Sequence, residues 1–314
     1  MTSMRAIALS LLCLFPAAGA DLRLGIIGTD TSHAVNFTAA FNDPTRPDHV
    51  PGARVVAAYK GGSPDIHASW SRVDKFAAEL ETKWKIEFVP DIPTLCSKVD
   101  AILLETNDGR LHLEQAKQVI AARKPMFIDK PLASTLEDAR EIARLAKEAG
   151  VPWFSSSGNR FGGLAAAMKF PDITSAFVWG PGPLEEHHHL ELSWYAIHSV
   201  ELLYTLMGTH CQEVSWMSSP DQDIVVGRWK DGRLGTIRVS RNRWDRGAVV
   251  FRRKQVVQST PEMSGDSSAL LREVVKFFRT GTPPVRAEET LEIFAFMDAA
   301  QRSKAAGGRP MALR

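Results

Sequence analysis

The sequence predicts an α/β fold, a Rossmann-like doubly wound parallel sheet followed by an α+β domain with a largely antiparallel sheet. Two observations carry this expectation. Up to about Val151, short apolar runs alternate with segments of helical periodicity, as strands joined by crossover helices do. After Gly150-Val151-Pro152, strand-like runs are punctuated by Gly, Pro and Asp turns such as Lys230-Asp231-Gly232, the signature of antiparallel pairing.

The elements follow in order. Residues 1–20 read as an export signal. Arg5 gives a positive start, Ala6 to Phe15 is apolar, Pro16 breaks the run and Ala18-Gly19-Ala20 offers small residues for cleavage. Such a run is too short to span a bilayer, so a periplasmic or secreted protein starting near Asp21 is expected. In a first domain over 21–151, Leu22 to Ile27 and Ala53 to Tyr59 read as strands, with a helix between them ending at Asn42. Further strands are expected at 86–89, 101–105 and 125–128, and helices at 70–83, 111–122 and 135–149. In a second domain over 152–314, strands are expected at 174–180, 213–219, 222–229, 233–241 and 248–258. A helix over 195–207 lies among them, and two helices close the chain.

Composition narrows the function. The 314 residues are 44% hydrophobic, enough to bury a sizeable core. Their 38 basic and 36 acidic residues leave a net charge of +2, which argues against nucleic acid as a partner. Beyond residue 20 no stretch is long and apolar enough to cross a membrane. Cys96 and Cys211 fall in different expected domains and lack metal or redox spacing. They are expected to be isolated buried thiols.

Several motifs stand in sequence. Val99-Asp-Ala-Ile-Leu-Leu104 is followed by His112-Leu-Glu114 and by Phe127-Ile-Asp129-Lys130-Pro131. Gly158-Asn-Arg-Phe161 comes next, then Ala196-Ile-His198-Ser-Val-Glu201, and Arg279-Thr-Gly-Thr-Pro-Pro284 near the close. Over essentially the whole mature chain this resembles the Gfo/Idh/MocA family of sugar-type oxidoreductases. The resemblance implies NAD(P) as cofactor and a sugar or cyclitol hydroxyl as the group oxidised. It implies Lys130 and His198 as the residues that polarise and deprotonate that hydroxyl. It also implies self-association through the second-domain sheet.

The departures from the family pattern bear on the cofactor. The first turn, Gly28-Thr-Asp30-Thr-Ser32-His33, keeps one of three fingerprint glycines. Asp30 places an anion, and His33 bulk, where glycine normally admits a diphosphate. Lys60 stands where an acid normally accepts a ribose hydroxyl. Weak or absent NAD binding is therefore expected, with any preference leaning to NADP. The nucleotide candidates are Gly28, Asp30, Ser32, His33, Lys60 and Asn107, and Asp30 or Ser32 is also expected to cap the following helix.

The remaining candidates line a substrate cleft or hold a metal. His112, Asn159, Arg160, His188, Trp194 and Tyr195 are candidates for substrate contact. On a strand, His187, His189 and Glu191 share one face and offer a divalent-metal set, joined by His198; a polar sheet face without metal is the competing reading. His188 or His189, Glu191 and His198 are expected to line the same cleft as Lys130. Two other function classes stay open. One is cofactor-independent, metal-assisted lyase, hydrolase or isomerase chemistry on a sugar derivative; the other is a non-catalytic carbohydrate-binding protein. Export weighs toward these, because free nicotinamide nucleotides are not expected outside the cytoplasm.

Overall fold

The computed structural model describes residues 19–263 and 267–314. The expected export signal lies outside the described residues except for Gly19 and Ala20. Six parallel strands form the first sheet: β1 (Leu22–Ile27), β2 (Ala53–Tyr59), β3 (Glu87–Val89), β4 (Ala101–Leu104), β5 (Met126–Asp129) and β6 (Trp153–Ser156), in the order β3-β2-β1-β4-β5-β6. Strands β4, β5 and β6 are buried at every residue, and β4, Ala-Ile-Leu-Leu, accordingly reads as an unbroken apolar run rather than an alternating one. The crossovers are helices α1 (Ser32–Asn42), α2 (His67–Trp84), α3 (Ile92–Lys98), α4 (His112–Ala121) and α5 (Leu136–Ala149).

Local sequence sets the helix ends. The Thr135 side chain accepts from the Asp138 N–H at 3.0 Å, Glu137 and Asp138 occupy the first turn, and Gly150 closes α5 in the left-handed region. All three features suit the free amides, dipole and exposed carbonyls of a helix. Asp91 caps α3 in the same way, accepting from Thr94 N–H at 2.7 Å.

The second sheet follows α6 (Gly163–Met168) and comprises β7 (Ile173–Pro181), β8 (Cys211–Ser219), β9 (Gln222–Trp229), β10 (Leu234–Ser240), β11 (Gly247–Arg252), β12 (Val256–Gln258) and β13 (Met311–Ala312). Their order is β12-β11-β7-β10-β9-β8-β13; among these pairs β7–β10 is parallel and the rest are antiparallel. Burial alternates along β9, so one face carries the core. Helices α8 (Ile197–Met207) and α10 (Ala287–Ala305), preceded respectively by the single turn α7 (Glu191–Trp194) and by α9 (Ser268–Thr280), complete the chain.

The two domains are not cleanly divided at 151. Strand β6 carries the parallel sheet on to Ser156 by pairing with β5. Helix α9 returns to the first domain, where Leu270, Leu271, Val274, Phe277 and Phe278 pack against Leu24, Ile26, Phe127 and Phe154. The other face of the first sheet shares a continuous core with the second, from Ile102 and Ile128 to Val178, Ile237 and Phe296. The expected strand at 248–258 is a hairpin of β11 and β12, split where Arg252, Arg253 and Lys254 cluster. Cys96 and Cys211 are buried and unbridged, and burial pushes their thiols up to about 11 and about 12. No described helix is long and apolar enough to cross a membrane.

Candidate active site

The site lies where the strand order reverses, between β1 and β4, the position at which open α/β sheets form a crevice. Gly28 leaves β1 at φ +93°, and a Cβ there would stand 2.5 Å from the Thr106 backbone nitrogen. Glycine is required at that point, for conformation and for space. Thr31, rather than Asp30 or Ser32, caps α1, accepting from His33 N–H at 3.3 Å.

Asp30 does not project into the crevice. Its fully buried carboxylate accepts from Ser69 Oγ at 2.6 Å and from the Asn107 N–H at 3.1 Å. Burial raises its pKa even so. Lys60 pairs with Asp74 at 2.6 Å on the surface.

Beside this turn, Lys130 follows the last residue of β5 and is 93% buried, with 7% of its surface exposed. Together with His198, Trp194 and Tyr195 it lines a cavity of about 540 Å³ that extends past Thr31, Ser32, Asn107 and Arg72. A second cavity of about 360 Å³ shares His33, Tyr195 and His198 with it and adds Asn159 and Arg246. His198 is held by Ser157, whose hydroxyl lies 2.7 Å from Nδ1. The Tyr195 ring stands edge-on to His198 at 5.1 Å and to exposed Trp244 at 5.2 Å. Burial, reinforced by Lys130 and His33, pushes the His198 imidazole well below the usual histidine range.

The floor is acidic. Asp129 lies 2.6 Å from His33 Nδ1. Burial works to raise its pKa, but His33 and Lys130 outweigh that and hold it at about 2. Glu105, just past β4, has no exposed surface and no hydrogen-bond partner for either oxygen. Burial first, and Asp129 second, push its pKa well above the usual carboxylate range.

Several expected site residues lie elsewhere. His112 is fully buried, its two nitrogens 3.2 Å from the Leu132 carbonyl and 2.7 Å from that of Thr106. It ties α4 to the strand ends and does not meet the crevice. Arg160 binds Glu201 at 2.7 Å and Glu289 at 2.6 Å inside the second domain, so its guanidinium is committed to structure. His188 is buried against Ser193 Oγ at 2.8 Å.

The proposed metal set also comes apart. Residues 182–190 are turns and loop, and α7 begins at Glu191, so no strand aligns these side chains. Two prolines and a glycine at 181–183 and the local turn at Glu185 break the expected period. His187 turns to Glu185, His189 to Ser134, and Glu191 to Lys304 and Gln301. None of these three lines either cavity described above. Residues that the motifs did not single out, Glu105, Ser157, Arg72 and Arg246, contribute instead; a lone acid closing an apolar strand was the available signal for Glu105.

Comparison with known proteins bears on the fold. Residues 22–156 match the model of the Gfo/Idh/MocA oxidoreductase family, NAD-binding Rossmann fold. A stretch of 53 residues is 51% identical to 1,5-anhydro-D-fructose reductase of Ensifer adhaerens, 17% of this chain and 16% of that enzyme. The chain thus spans only 16% and 34% of the length of the curated relatives it matches. The fold extends further than sequence identity. Apo scyllo-inositol dehydrogenase from Lactobacillus casei superposes with a TM-score of 0.75 at 13% identity, over 94% of this chain and 98% of that one. Myo-inositol dehydrogenase from the same organism, in complex with NAD(H) and myo-inositol, gives 0.72 at 16% identity, over 94% and 97%. Residues 22–156 thus match the Gfo/Idh/MocA family's NAD-binding Rossmann fold, and the chain as a whole shares the fold of these two dehydrogenases.

Proposed function

We propose that the chain is an oxidoreductase acting on a hydroxyl of a sugar or cyclitol, with NAD(P) as the hydride acceptor. The observation that carries this reading is the convergence of Lys130 and His198 on one cavity at the switch point. The cavity also suits an anionic cofactor. The α1 N-terminus meets it at Thr31 and Ser32, and Arg72 lines it with a buried Nε that has no partner. Asp30, folded inward, leaves the turn open. When bound, the nicotinamide supplies the hydride-accepting carbon.

The chain's own residues do the rest. The Lys130 ammonium donates to the substrate hydroxyl oxygen and stabilises the charge that grows there. With Nδ1–H donating to Ser157, His198 presents Nε2 as a neutral base for the hydroxyl proton. Its depressed pKa keeps that nitrogen unprotonated at neutral pH. Tyr195 and Trp244 offer aromatic surface at the cavity wall, and Asn159 a polar contact.

One observation favours a second reading, in which the site works on a sugar derivative without a nucleotide. Asp129, which His33 and Lys130 hold at about 2 against burial, keeps an anion near the turn, and that opposes a diphosphate. Export after cleavage near Ala20 belongs with that reading and is checked by N-terminal sequencing of the mature protein. Self-association through the second sheet is supported by exposed Met217, Leu234 and Phe251 on its outer face, and is checked by analytical ultracentrifugation. Calorimetry with NAD+ and NADP+ separates the two catalytic readings. Saturable micromolar binding, weakened in Arg72→Ala, supports the oxidoreductase; no binding of either nucleotide supports its rival.

A further inference from the structure

We propose that His33, Glu105 and Asp129 form a site for one divalent transition-metal cation beneath the β1–α1 turn. One donor atom from each, an imidazole nitrogen and two carboxylate oxygens, lies within 4.8 Å of the others. Ligands on opposite sides of a metal at about 2.0–2.2 Å stand about 4.0–4.4 Å apart, so small side-chain shifts close the set.

The chemistry of Glu105 points to an occupant. Its carboxylate is fully buried and neither oxygen has a partner, and Asp129 Oδ1 is also unpartnered. A buried carboxylate without donors is costly, and two adjacent ones more so. Three things could relieve this pair: Lys130, a proton or a metal ion. Lys130 offsets the charge of both carboxylates at a distance, but both Glu105 oxygens and Asp129 Oδ1 still have no hydrogen-bond partner. A proton shared between Glu105 and Asp129 satisfies one Glu105 oxygen and leaves the other bare. A cation meets both carboxylates and takes His33 as its third ligand.

The donor set selects the ion. An imidazole with two carboxylates suits zinc, manganese or ferrous iron better than calcium, which prefers oxygen alone. Access is available through His33, whose side chain is 25% exposed and borders both cavities. The site is separate from the histidine run at 187–189, which diverges to other partners. It also stands independently of the oxidoreductase reading, since it concerns binding of metal by the free protein.

The test is calorimetric titration of the metal-stripped protein with Zn2+, and with Mn2+ in parallel. One ion per chain is expected, weakened about 100-fold or more in His33→Ala and in Glu105→Gln and unchanged in the His187→Ala/His189→Ala double variant. X-ray absorption on the zinc-loaded wild type needs no variant to fold, and should show a nitrogen–oxygen shell with a single imidazole. Absence of stoichiometric binding overturns the proposal, as does binding that survives both site substitutions or is lost in the double variant. Two or more imidazoles in the metal shell overturn it equally.

Discussion

Replacing Arg160 with methionine separates a structural arginine from a substrate-binding one. The guanidinium is 8% exposed and holds Glu201, itself 3% exposed, at 2.7 Å and Glu289 at 2.6 Å. It links the segment after β6 to α8 and α10. Arg160→Met keeps much of the side-chain volume but leaves the Glu201 carboxylate buried without its cation. Breaking a buried pair in this way costs about 3–5 kcal/mol. Burial already raises the Glu201 pKa and Arg160 opposes that, so the variant drives Glu201 to take up a proton on folding. A carboxyl with a raised folded pKa binds more protons folded than unfolded, and its stability contribution falls as pH rises. Urea unfolding of Arg160→Met at pH 5 and pH 8 should therefore show a loss of that size, larger at pH 8. Adding Glu201→Leu should recover at least half of it, since an apolar pair replaces the stranded charge. A loss below about 1 kcal/mol, a typical single hydrogen bond, with weakened ligand binding would refute the assignment and return Arg160 to the substrate site.

Ser157→Ala should lower kcat about fivefold with little change in KM, because it frees the His198 ring without touching substrate; about 1 kcal/mol is at stake in that hydrogen bond. An unchanged kcat would show that Ser157 does not position His198. The pH profile of kcat/KM should have its acid limb below 6.5, the ordinary histidine value, because burial, Lys130 and His33 all disfavour the imidazolium; a limb above 6.5 contradicts a neutral base in that cavity. The same depression means that His198 contributes stability at pH above 6.5 that erodes as pH falls from there, which acid unfolding of His198→Gln should show as a flatter pH dependence. Gly28→Ala should destabilise the fold or prevent it, since its Cβ meets Thr106 backbone at 2.5 Å, and a thermal midpoint equal to wild type would show the turn to be misplaced.

Much of the fold was legible because it depends on local pattern. The bounds expected for β1, β2 and β9 coincide with those observed, since apolar runs closed by turn residues leave little choice. The family resemblance placed Lys130 and His198 on one crevice, and the structure does so. The histidine run misled because alternation was applied across Pro181-Gly182-Pro183, where the chain leaves the sheet. Arg160 and His112 read as polar candidates in the motif segments, yet each is claimed by partners distant in sequence, Glu289 and Leu132 among them. Asp30 was read as an obstruction because its partner Ser69 lies 39 positions away. The same remoteness hid the Glu105–Asp129–His33 cluster, which exists only once the ends of β4 and β5 meet the start of α1.

Turnover measurements test whether Lys130 and His198 carry acid–base chemistry on a sugar or cyclitol hydroxyl. The wild type, Lys130→Met and His198→Ala would be assayed with NAD+ and NADP+ against cyclitols and simple sugars, following reduced nicotinamide by absorbance. Nucleotide-dependent oxidation by the wild type is expected, with a loss of about 100-fold or more in kcat in each variant and circular dichroism unchanged. A variant turning over within about threefold of wild type, or a wild type with no nucleotide-dependent oxidation across the panel, would contradict that assignment.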